Sequence, residues 1–171
     1  GLTVFVDLII AVSIGVFVAN LLTIDRLTKV QSDSVKAIRD GDEQELTHGE
    51  QTILNDANGK ILVFSLGGPL FFGLAKAISR QRAVLSDHEV LVLDFTDVPV
   101  IGVSSSLAIE QIVHDDLAAE KPVYLVGMVD SVHERMGRLG VLDHISSNHV
   151  FSDRQSCLED ASVYLKQQAD T

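Results

Sequence analysis

Val90 to Ser106 reads VLVLDFTDVPVIGVSSS, and this stretch decides the fold. Its opening residues, Val90, Leu91, Val92 and Leu93, are apolar without alternation. That pattern describes a strand buried on both faces, as in the middle of a parallel sheet. Asp94-Phe95-Thr96-Asp97 brings the strand to its end. Pro99 has no N–H to continue a ladder, so Val98 to Ile101 is expected to cross the end of the sheet. Gly102-Val103-Ser104-Ser105-Ser106 then opens a helical pattern, where serine hydroxyls are expected to cap orphan N–H groups. Strand, polar turn and helix N-terminus in succession mark the place where α/β proteins carry their sites.

The 171 residues leave room for one ordinary domain and an additional segment. Gly1 rather than methionine opens the chain, and a piece of a longer protein is expected. A formal net charge of -11 argues against nucleic acid as a partner and against a basic grip on anionic lipid. Cys157 is the single cysteine, which excludes an internal disulfide and fits a reducing compartment.

Residues 1–25 are expected to form a transmembrane helix. Leu2 to Ile24 contains Asp7 as its one charge and would span roughly 34 Å as a helix, enough to cross a bilayer. A helix buried in a soluble core is the competing reading. Two features favour the membrane. Ala11, Gly15 and Ala19 recur at spacing four and would let a neighbouring helix pack closely. Arg26, Lys29, Lys36 and Arg39 follow at once, which places the C-terminal side in the cytoplasm. Residues 26–50 are expected to be an amphipathic helix, Arg26 to Arg39, and an acidic linker from Asp40 to Glu50.

The remaining domain, 51–171, is expected to be α/β. Thr52-Ile53-Leu54 and Lys60 to Leu66 read as strands joined by an Asn58-Gly59 hairpin turn. Leu74 to Leu85 has helical spacing, with Arg80 and Arg82 outside. Ile109, Ile112, Val113 and Leu117 give the next helix its inner face. Val123 to Val126 is a further buried strand. Ser131 with Glu134, and Ser152 with Gln155, have capping-box spacing, and Gly140 closes the helix between them. His149-Val150-Phe151 reads as a brief edge strand. Strands joined through helices run parallel, so the sheet is mixed and mostly parallel, with helices packed on it.

Catalytic constellations are absent from the pattern. His48, His88, His114, His133, His144 and His149 show no metal-ligand spacing, and neither a catalytic residue nor a metal is expected. Cys157 has no local activator and reads as structural. Gly67-Gly68-Pro69 reads as a strand-ending turn, and Asp115-Asp116 as solvated. Ser104 is the exception. On an exposed turn at a helix N-terminus, a phosphate on its hydroxyl would meet free N–H groups and the positive end of the helix dipole.

The second domain resembles the STAS domain of sulfate transporters and anti-sigma-factor antagonists. The resemblance rests on Val90 to Ile101, on Gly68-Pro69-Leu70-Phe71-Phe72, on Arg135 to Val141, and on Phe151-Ser152-Asp153. Val4 to Val12 is similar to the last membrane helix of SulP (SLC26-type) anion transporters. The resemblance implies a STAS-like sheet behind one transmembrane helix. It also implies membership of a plasma-membrane anion carrier with the STAS domain in the cytoplasm, and a non-enzymatic role in dimerisation, folding or regulation. Sodium-dependent bicarbonate uptake is the expected activity, with sulfate as the alternative anion and sodium bound outside this chain. The rest of the carrier's membrane domain and a second copy are the implied partners. In the antagonists a Ser or Thr within D-x-[ST]-G is phosphorylated. Here Ser104 matches the hydroxyl, but Gly102 replaces the Asp and Ser105 the Gly, which counts against a membrane-tethered, antagonist-like signalling module.

Overall fold

The computed structural model describes Val12, Ile14 and Val16, residues 35–38, 46–82 and 87–169, with the backbone alone at 79–82. The chain divides into two compact units, Gly1–Asp33 and Ser34–Thr171. In the first, Val12, Ile14 and Val16 are helical and more than half exposed. The rest of the expected membrane helix, with Ala11, Gly15 and Ala19, lies outside the described residues, as do Arg26 to Asp33. Among the described residues no helix is long and apolar enough to cross a membrane.

The second unit is a sheet covered on both faces. Its elements are β1 (Val35–Ile38), α1 (His48–Asp56), β2 (Ile61–Gly67), α2 (Leu74–Arg82), β3 (Val90–Asp97), α3 (Val103–Ala118), β4 (Val123–Val126), α4 (Asp130–Arg138), β5 (Val150–Phe151) and α5 (Arg154–Ala169). The five strands lie in sequence order. β1 runs antiparallel to β2, and every later pair is parallel. Parallel neighbours in sequence order, joined by crossovers of one hand, place their connecting helices on one side. Accordingly α2, α3 and α4 share a core with Leu62, Phe64, Leu91, Leu93, Phe95, Val123 and Leu125. The alternate residues Ile61, Val63, Val90, Val92, Tyr124 and Val126 face α1 and α5. Val90 to Phe95 is buried throughout, the apolar run Val90 to Leu93 as a central strand requires and Asp94 with it.

The first third of the domain departs from the sequence reading. Val35–Ile38 is a strand, not the end of an amphipathic helix. Val35 joins one core and Ile38 the other. Residues three apart lie on opposite faces of a strand but on one face of a helix. The expected strand at Thr52-Ile53-Leu54 lies inside α1. Thr47 and Glu50 form a complete capping box there, which fixes the helix start. Asn58 (φ 51°) and Gly59 (φ 76°) do adopt the left-handed conformation, but they end α1 rather than turn a hairpin. The antiparallel partner of β2 is therefore β1.

Two expected capping boxes are also replaced. Ser131 does not cap α4; its hydroxyl donates to the Pro99 carbonyl at 3.3 Å. Asp153, not Ser152, receives the Ser156 N–H at 2.9 Å at the start of α5. Gly140 (φ 76°) ends α4 as read.

Gly127 closes the contact between the ends of β3 and β4. Its φ is +72°, and its N–H donates to the Phe151 carbonyl at 3.1 Å. A Cβ there would run into the Thr96 hydroxyl and stand 2.9 Å from the Thr96 Cα and N. Gly127→Ala thus combines a left-handed alanine with overpacking against backbone, and is expected to cost about 2–4 kcal/mol. Urea unfolding of the chain reads this directly, and a loss below 0.5 kcal/mol, the scale of surface changes, would show that the contact relaxes.

Candidate functional site

The carboxyl end of β3 brings together a cluster of buried charged groups. Asp94 lies on β3 with the parity of Val90 and Val92, so it faces α1 and α5. It is 1% exposed. Its Oδ1 accepts the Thr96 N–H at 2.9 Å and the Thr96 hydroxyl at 2.6 Å. Its Oδ2 accepts from Arg154 Nη1 at 2.9 Å. The same guanidinium donates through Nε to Glu50 Oε1 at 2.8 Å and through Nη2 to Glu50 Oε2 at 3.3 Å. Glu50 Oε2 also closes the capping box by accepting the Thr47 N–H at 2.7 Å. One planar fork thereby joins two buried carboxylates on two different elements, a geometry a lysine cannot copy.

The electrostatics follow from this geometry. Burial alone would push the Glu50 carboxyl up. The Arg154 hydrogen bond, the Thr47 N–H and the guanidinium charge outweigh it and hold the group below its ordinary 4.5. Arg154 is the first residue of α5, where the helix dipole disfavours a cation. The two carboxylates offset that cost. All four carboxylate oxygens accept hydrogen bonds from Thr47, Thr96 or Arg154, an arrangement suited to holding elements together.

Ser104 occupies the second position of α3, on the other side of the turn. Its side chain is exposed. Gly102 is the N-cap and supplies no side-chain bond. The serine run does not cap as read from the sequence. Ser106 donates its hydroxyl back to the Gly102 carbonyl at 3.0 Å, and the buried Ser105 hydroxyl has no partner. Ser104 alone of the three presents its hydroxyl to solvent. A side chain at position 102 would meet Phe71 closely. A Cβ there would stand 3.1 Å from Phe71 Cδ1 and 3.2 Å from the Phe71 Cα.

Other candidates resolve into structure. His149 stacks on Tyr124 with ring centroids 4.3 Å apart. Burial pushes the Cys157 thiol up to about 12, which leaves it protonated and inert. Asp116 is not solvated; it is 2% exposed and lies 3.4 Å from His88 Nε2. Gly68 (φ +71°) ends β2, and its N–H is taken by the Asp97 carbonyl. His114 and His144 line a cleft of about 360 Å³ with Leu107, Glu110 and Gln111. Among the described residues no group of three or more His, Cys, Asp or Glu is arranged to hold a metal. The Glu50–Asp94–Arg154 cluster was not singled out in the sequence, although an Asp inside an apolar strand and an Arg at a helix start both signalled a buried pair.

Residues 52–157 match the family described as STAS domain. The chain is 41% identical over 165 residues to the bicarbonate transporter BicA of Synechocystis sp., covering 96% of this chain and 29% of that protein. It is 40% identical over 161 residues to BicA of Picosynechococcus sp., covering 94% of this chain and 28% of that protein. The chain therefore spans less than a third of these curated relatives. Among solved structures, the murine Slc26a9 anion transporter in the inward-facing state matches 89% of this chain and 25% of its own, with a TM-score of 0.58 and 17% identity, which shows the shared fold.

Arg154→Met leaves two buried carboxylates without their cation and is expected to destabilise the domain by about 3–5 kcal/mol. Glu50→Gln tests the sign of the linkage. A carboxyl held below its unfolded value contributes stability above that value and loses it as pH falls through the folded one. Urea midpoints should therefore fall as pH drops below about 4.5 in the native chain, and fall less steeply in Glu50→Gln. Parallel pH profiles for the two proteins would contradict the pairing.

Proposed function

The chain belongs to the STAS-domain family, and on that premise we propose that it is the C-terminal part of a membrane anion carrier. Residues 1–25 form its last transmembrane helix, and the α/β unit lies on the cytoplasmic side of the plasma membrane. The observation that carries this reading is the 41% identity to a bicarbonate transporter, which extends over 96% of the chain and so includes the apolar first segment as well as the domain. Bicarbonate is the proposed anion and sodium the proposed coupling ion, both bound in membrane helices beyond this chain. The domain itself is proposed to be non-enzymatic, with a role in folding, dimerisation or regulation of the carrier. The Glu50–Asp94–Arg154 cluster, whose carboxylates are paired with a cation of the same domain, supports that role.

The second reading is an antagonist-like signalling module switched by phosphate on Ser104. The exposure of Ser104 on the first turn of α3 favours it. The bare Gly102 cap, crowded by Phe71, does not supply the acidic neighbour that the antagonists carry there.

Uptake of labelled bicarbonate by cells expressing the full-length protein tests the first reading. Uptake should require sodium and resist excess sulfate; sulfate uptake in place of bicarbonate would reassign the anion. Removing residues 34–171, which takes out β1 with the rest of the sheet, should abolish uptake or change the oligomeric state. No change in either would exclude the proposed role. Phosphate on Ser104 in the native protein, read by mass spectrometry, would promote the signalling reading.

A further inference from the structure

The start of α3 carries polar groups that the chain itself does not satisfy. The first hydrogen bond of the helix runs from the Ser106 N–H to the Gly102 carbonyl at 3.0 Å, so the N–H groups of Val103, Ser104 and Ser105 precede it. Gly102 offers no side chain to receive them, and among the described residues no other acceptor takes them. The Ser105 hydroxyl belongs to a residue 1% exposed and has no hydrogen-bond partner. Side chains of a helix tilt toward its N-terminus, so this hydroxyl is directed back at the bare turn. Val103 and Ser104 are exposed, which leaves the turn open to solvent.

An enclosed hydroxyl without a partner is costly, and a bound water or ion is the usual remedy. Three N–H groups at the positive end of a helix favour an anion. Charge narrows the choice. Asp97 and Asp130 are exposed on the same end of the sheet, where the Ser131 hydroxyl ties the start of α4 to Pro99. Each further negative charge on a ligand meets these carboxylates, so a monoanion is preferred to a dianion. No lysine or arginine lies between Ala83 and Glu120, so neutral donors hold the ligand and hold it weakly. Chemistry narrows it again. The N–H groups require acceptor oxygens, and the Ser105 Oγ can accept a proton from the ligand as well as donate one. A small oxyanion with one charge and one O–H meets these conditions.

We propose that the N-terminus of α3, with the Ser105 hydroxyl, binds a singly charged, protonated oxyanion of the bicarbonate type. The site stands on the geometry of this turn. Its regulatory role rests on the carrier reading above: the ligand is then the transported anion, and the domain senses its concentration on the cytoplasmic side. A carboxylate added to the same turn would take the place of the anion.

The test follows the backbone amide NMR signals of the whole chain in detergent micelles during titration with sodium bicarbonate. Sodium chloride and sodium sulfate, at the same pH and ionic strength, are the controls. The signals of Val103, Ser104 and Ser105 should move saturably with bicarbonate, and at least about threefold less with either control. Ser105→Ala should weaken bicarbonate binding at least about threefold, the worth of one hydrogen bond. That hydroxyl has no partner to lose, so the urea midpoint of the variant should equal or exceed that of the parent. Ser104→Asp, at an exposed position, should abolish the saturable movement. Unmoved signals, as for a site that holds water only, would overturn the proposal. So would equal movement with chloride, tighter binding of sulfate, or an affinity unchanged in Ser105→Ala. Saturable bicarbonate binding in a protein whose full-length form carries no bicarbonate would uphold the site and remove the carrier reading. Bicarbonate uptake by the full-length protein with these signals unmoved would remove the site alone.

Discussion

One guanidinium organises the domain. Arg154 holds Glu50 and Asp94 at once, each at less than 3 Å by its shortest bond. A buried carboxylate is expensive to desolvate, and two close together more so. The cation makes both tolerable and fixes where they must stand. Glu50 belongs to α1, Asp94 to β3 and Arg154 to α5. The fork therefore sets the first and last helices against the middle strand on one face of the sheet. Apolar packing of Leu54, Cys157, Leu158 and Ala161 supplies the driving force on that face, but it has little directional preference. The hydrogen-bonded fork supplies the register.

The opposite face of the sheet is covered by α2, α3 and α4. His88 and Asp116 form a buried polar pair at α3, and the loops leading into α2 and α3 meet at the end of the sheet through backbone bonds between Leu70, Val100 and Gly102. Phe71 stands close to Gly102, so a side chain at that point would require Phe71 to shift by a few tenths of an ångström. The space is occupied by an aromatic residue that is itself exposed.

Much of this was legible in the sequence. The unbroken run Val90 to Leu93 identified the central strand, and Pro99 with Gly102 located the crossing before α3. Val123 to Val126 and the brief strand at Val150 followed from the same logic. The first third was not legible, for physical reasons. Four residues of β1 carry too little periodicity to separate strand from helix, and Ile38 fits either. Asn58-Gly59 serves a left-handed helix end as well as a hairpin, and only tertiary packing selects between them. The site was half legible. Ser104 stood out because local signals mark a helix start. Glu50, Asp94 and Arg154 are separated by up to 104 positions in the chain, and no local pattern joins them. Their individual oddity, a charge in an apolar strand and a cation at a helix N-terminus, was the only trace.

The central claim is that Arg154 and Asp94 act as one unit, and a double-mutant cycle measures it. Urea unfolding of the native chain, Asp94→Asn, Arg154→Met and the double variant yields their coupling free energy. A coupling of at least about 1.5 kcal/mol is expected, with the double variant more stable than the sum of the single losses implies. A coupling within about 0.3–0.5 kcal/mol of zero, the range of independent sites, would show that the guanidinium does not hold the sheet and its outer helices together.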